Sequence, residues 1–146
     1  MRTCWSSTCS NDHTKAIGAL VQRAKTTVVR VEAVLVFSCD ALGGALLGAA
    51  VELGGHQPYF AAAGEVARNA LMRVRPRLVL IDCDHEESCS EEFVGPALMT
   101  GAQVLLIRST GTVRDMTEFA ARLGVRIVDM ATEYATFPEI VAELLG

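Results

Sequence analysis

At 146 residues, 51% hydrophobic but only 5% aromatic, the chain is long enough for one domain with a core of small aliphatic side chains. A net charge of -4 argues against a nucleic-acid binder driven by phosphate contacts. No apolar run approaches the ~20 residues of a membrane span, and the N-terminus lacks the apolar middle of a secretory signal.

The charge is unevenly spread. Residues 1–30 carry Arg2, Lys15, Arg23, Lys25 and Arg30 against Asp12, a net of +4, which leaves -8 on residues 31–146. The domain boundary is therefore expected near residue 30, after a basic leader that is flexible or partly helical. Asp12 is suited to cap a helix over His13–Lys25, with Ala16, Ile17, Leu20, Val21 and Ala24 on one face. The five cysteines, Cys4, Cys9, Cys39, Cys83 and Cys89, are an odd number in a chain without an export signal. Reduced thiols in a cytoplasm are the expectation.

From Val31 strands and helices alternate. VEAVLVF reads as a strand buried on both faces. SCDALGG reads as a loop, and ALLGAAVEL as a helix closed by Gly54–Gly55. HQPYFAA, with Pro58, suits an edge strand. GEVARNALMRV is a helix stopped at Arg75–Pro76. LVLID is the third strand, CDHEESCS a loop, and EEFVGPALM a short helix containing Pro96. AQVLLIR, VRDMTEFAARLG, VRIVDM and FPEIVAELL follow as strand, helix, strand and helix, with Pro138 in the last first turn.

This order implies an α/β fold: a five-stranded, doubly wound parallel sheet with helices on both faces. Function in such sheets gathers at the carboxyl ends of the strands. Those ends carry Ser38, Cys39 and Asp40; Asp82, Cys83 and Asp84; Arg108, Ser109 and Thr110; and Asp129 and Met130.

Residues 31–146 resemble a response-regulator receiver domain of the CheY-like type. The likeness rests on GEVARNALMRVRPRLVLID and on the opening VLVFSCDALGGALLGAAVELGGHQPYFAAAGE. The resemblance implies strand order 2-1-3-4-5 and puts Asp82 at the phosphoacceptor position. Family chemistry needs a magnesium ion and a lysine to neutralise the incoming phosphoryl oxygens. The acid pair that holds the ion aligns with Ser38 and Cys39, followed by Asp40. The lysine position falls on Asp129 or Met130, and the chain has no lysine after Lys25. The switch hydroxyl aligns with Arg108, or with Ser109 after a one-residue slip.

The resemblance therefore implies a degenerate, stand-alone pseudo-receiver: a non-enzymatic protein-interaction module in two-component-type signalling, without cofactor. A salt bridge from Arg108 to Asp82 would imitate one fixed signalling state. The alternative is a phospho-accepting regulator in a phosphorelay, with magnesium on Asp40, Asp82 and Asp84. The expected partner is a signalling protein, with no nucleic acid and no membrane. A homodimer is expected through the fourth helix, fifth strand and fifth helix, using Arg114, Glu118, Arg122, Glu133, Tyr134, Glu139 and Glu143. A third reading makes Cys39 a redox centre, paired with Cys83, or the nucleophile of a small enzyme. The acidic loop HEESCSEE is expected to be solvated and to cap the next helix.

Overall fold

The computed structural model describes residues 30–146. The expected helix over His13–Lys25, with Cys4 and Cys9, lies outside them. The strands are β1 Ala33–Phe37, β2 Gln57–Phe60, β3 Leu78–Asp82, β4 Gln103–Arg108 and β5 Arg126–Asp129. They form one parallel sheet in the order β2-β1-β3-β4-β5. The expected architecture and strand order are both present. The helices are α1 Ala41–Leu53, α2 Ala67–Val74, α3 Glu91–Met99, α4 Thr117–Leu123 and α5 Phe137–Leu145.

Strand periodicity divides the core into two halves. Val34, Val36, Leu78, Leu80, Leu105 and Ile107 point to one face, where Leu47, Val51, Phe137 and Val141 of α1 and α5 cover them. Leu35, Phe37, Val79, Ile81 and Leu106 point to the other, against Leu71, Phe93, Val94 and Ala120 of α2, α3 and α4. Phe37 and Phe93 meet edge to face at 5.1 Å. Both faces are dry, so β3 is a near-continuous run of fully buried residues until Asp82. Pro58 sits in β2, an edge strand, as its missing N–H requires.

Two local expectations change. Helix α1 starts at Ala41, inside the stretch read as a loop, because the Asp40 carboxylate accepts the Gly43 N–H and closes the first turn. Helix α4 starts four residues later than the Val113 suggested by its apolar pattern, because Asp115 accepts from the Thr117 amide at 3.1 Å and hydroxyl at 2.6 Å. The stretch ATEYAT links β5 to α5. Asp129 accepts from Ala131 N and starts a helical turn, Met130–Glu133, which runs into a 3-10 turn, Tyr134–Thr136.

Gly48 of α1 lies under the half-exposed Phe60 ring, which a side chain there would displace. A Cβ there would lie 2.8 Å from Cζ of Phe60, whose ring leans over the helix.

Candidate functional site

The site lies at the carboxyl ends of β1, β3 and β4. Asp82 ends β3, opposite Ile107 in the register. The preceding strand is buried and hydrogen-bonded on both sides, so the Asp82 backbone is fixed and its carboxylate emerges at the carboxyl end of the sheet.

Every hydrogen bond found on that carboxylate comes from a neutral donor. Oδ1 accepts from the Asp84 amide at 3.0 Å. Oδ2 accepts from the Cys39 thiol at 3.2 Å, the Cys39 amide at 3.4 Å and the Ser38 hydroxyl at 3.5 Å. Ser38 and Cys39 stand where the acid pair of a phosphotransfer pocket would be, and they donate to Asp82 instead of repelling it. The contact acts on the thiol in turn. Its hydrogen bond to Asp82, then partial burial and the surrounding carboxylates, push the Cys39 thiol above its ordinary pKa. A nucleophilic cysteine needs the opposite shift.

The Arg108 expectation is also corrected. Its guanidinium turns to Asp115, at 3.5 Å, and among the described residues it forms no ion pair with Asp82. The residue one place later meets the site: Ser109 lines a cavity of about 150 Å³ together with Ser38, Asp40, Asp82, Met130 and Tyr134. The Ser109 hydroxyl is engaged with Thr112 Oγ1 at 3.2 Å. At the lysine position, Asp129 is committed to capping and its amide donates to Glu133 at 2.9 Å. Met130 supplies only an apolar wall.

Magnesium requires several hard oxygen ligands, and thiols serve it poorly. Here Asp40 is spent on the α1 cap, and Asp84 contributes its amide rather than its carboxylate to Asp82. Among the described residues no three His, Cys, Asp or Glu side chains are grouped to hold a metal ion. The donor set does not fit the ion, and the trio Asp40, Asp82 and Asp84 does not assemble.

Cys83 does not pair with Cys39. It is buried against Cys89, and that contact, followed by burial, holds the Cys83 thiol far above its ordinary range. The acidic loop is only partly as expected. Glu87 accepts from the Ala67 amide, which ties the loop to the start of α2 rather than to the next helix. His85 Nδ1 is 2.7 Å from the Ser88 hydroxyl, which engages that ring nitrogen within the loop.

One contributor had no clear sequence signal. Arg114, expected on a dimer face, instead reaches inward and donates to the Cys83 carbonyl at 3.2 Å. It braces the loop that carries Asp82 and Asp84.

No family model and no curated protein matches the chain. Solved structures do. A response regulator receiver protein from Burkholderia phymatum superposes with a TM-score of 0.63 at 19% identity, over 78% of this chain and 94% of that one. Chemotaxis protein CheY4 from Vibrio cholerae gives 0.63 at 16%, over 80% and 100%. The domain has the receiver fold. NtrX from Brucella abortus, solved in complex with ADP, gives 0.64 at 18%, over 80% of this chain. The chain spans only 26% of that NtrX chain. Within the receiver fold, Asp82 lies at the end of the central strand, and the cavity above it is bounded by the turns after β1, β4 and β5 and by Gly43, Leu46 and Leu47 of α1.

Proposed function

We propose that residues 31–146 form a pseudo-receiver, a non-enzymatic protein-interaction module in two-component-type signalling that works in the cytoplasm without phosphorylation. One observation carries this reading: the Cys39 thiol and amide and the Ser38 hydroxyl surround Asp82 Oδ2, where phosphotransfer would need metal-bound oxygens. Attack on phosphorus would require that oxygen to give up these donors. The new phosphoryl group adds about -1.5 to -2 charge; the described residues contain no lysine, and Arg108 turns to Asp115.

The surface supports a protein partner. Arg122 on α4 is shared with Glu91 at 3.3 Å, and Arg126 on β5 with Glu133 at 3.7 Å. With Arg114 turned inward, Glu118, Glu139 and Glu143 dominate the α4–β5–α5 side. Such a face repels a copy of itself and suits a signalling protein with a basic surface. Arg122 and Arg126 stay at the surface in those pairs, and the homodimer expected there has one cation fewer, Arg114.

The test is a 15N-HSQC titration with magnesium and beryllofluoride, which imitates an aspartyl phosphate. The expected result is no saturable shift at Ser38–Asp40 or Asp82–Asp84. Saturable shifts at those amides, lost in Asp82→Asn, would favour the phospho-accepting alternative.

A further inference from the structure

Helix α1 is unusual for a helix at a protein surface. Its thirteen residues include one charge, Glu52, near the C-terminal end. Its inner side is spent on Gly44, Leu47, Gly48, Ala50 and Val51. On its outer side Leu42 is 71%, Leu46 49% and Leu53 83% exposed. With the exposed Ala49 they stand at positions 42, 46, 49 and 53. That is the i, i+4, i+7, i+11 spacing of a helix–helix seam. Among the described residues nothing covers it.

We infer that this stripe is a self-association face: two copies of the chain pair α1 against α1, antiparallel, about a two-fold axis between Leu46 and Ala49.

Three features select a second copy as the occupant. The first is shape. Antiparallel pairing sets Leu42 against the partner's Leu53, and Leu46 over the partner's Ala49. A large side chain then meets a small one at the centre, with leucine pairs at both ends. Ala45, also exposed, lets the backbones approach. The second is charge. The full chain carries -4 and residues 31–146 carry -8, whereas this face is neutral except at Glu52, so two copies meet on it with little like-charge repulsion. Antiparallel pairing sends the two Glu52 side chains to opposite ends, while parallel pairing would bring them together. The third is area. Three leucines and the flanking alanines remove roughly 400 Å² per chain, about half of a standard interface. The dimer is accordingly weak and concentration-dependent, forming in the upper micromolar range.

Sedimentation velocity on the full chain, from low micromolar to near-millimolar protein, tests this. The wild type should shift from monomer to dimer across that range. Ala49→Glu, at an exposed position in a good helix context, should weaken dimerisation more than about tenfold with an unchanged circular dichroism spectrum. Leu42→Lys alone should also weaken it. Leu42→Lys combined with Leu53→Glu should recover it, because opposite charges meet only in the antiparallel arrangement. A wild type that stays monomeric throughout would overturn the inference and leave the stripe to another occupant. A dimer that survives Ala49→Glu, or a charge pair that fails to recover one, would equally overturn it.

Discussion

The Cys39 thiol donates to Asp82 Oδ2 at 3.2 Å, so a cysteine and an aspartate share the corner where a phosphotransfer pocket would hold its metal. The carboxylate gains a neutral donor, and the thiol becomes harder to ionise because its thiolate would face Asp82. Although exposed, Cys39 should react slowly with iodoacetamide near neutral pH. Asp82→Asn removes the opposing charge, lowers the thiol pKa and should speed alkylation at fixed pH. Alkylation kinetics followed by mass spectrometry against pH would check this. A wild-type Cys39 that reacts faster than free cysteine would argue for the nucleophile reading.

Asp40 has a structural duty separate from any ion. Its carboxylate accepts from Gly43 N–H at the start of α1, a helix that opens with two glycines in its first four residues. Asp40→Ala should cost about 1 kcal/mol of stability through the lost cap. Chemical denaturation would measure it. The loss should be the same with and without magnesium. A magnesium-dependent difference would give Asp40 a ligand role.

Glu65 offers a pH test remote from the site. Arg73 grips it through two 2.9 Å bonds, and the Ala62 amide adds a third at 2.9 Å. The Arg73 fork first, and then the amide, pull its pKa from the ordinary 4.5 down to about 2. The folded pKa is depressed, so the contribution to stability is complete above the unfolded value. It is lost as pH falls from there through about 2. A 13C carboxyl titration should place the Glu65 midpoint near 2, and Arg73→Gln should return it toward the ordinary value. A wild-type midpoint in the ordinary range would mean that the fork does not persist in solution.

The sequence made the architecture legible because apolar strand runs alternate with helical stretches between strong turn and cap signals. β3, α3 and α5 occupy the stretches LVLID, EEFVGPALM and FPEIVAELL, each bounded by a strong local signal. The misplaced helix starts share one cause. At Asp40 and Asp115 a short carboxylate bonds to backbone N–H groups two or three residues on, and composition does not say whether it opens a helix or ends a loop. In the candidate site, Asp82, Ser38 and Cys39 were found by position. The side-chain directions were not. Arg108 and Ser109 are adjacent, and only three-dimensional placement sends one to Asp115 and the other to the cavity. Arg114 was misassigned for the same reason: a long cation in a loop has no periodicity to reveal which way it turns.

In the proposed function Asp82 is closed off by the protein's own neutral donors and does not accept phosphate. Intact mass after incubation with magnesium and acetyl phosphate tests it most directly, with Asp82→Asn beside the wild type. The expected spectra are identical, with no added phosphoryl mass on either chain and an unchanged fold. A phosphoryl adduct on the wild type that is absent from Asp82→Asn would contradict the claim and make the chain a working phosphoacceptor.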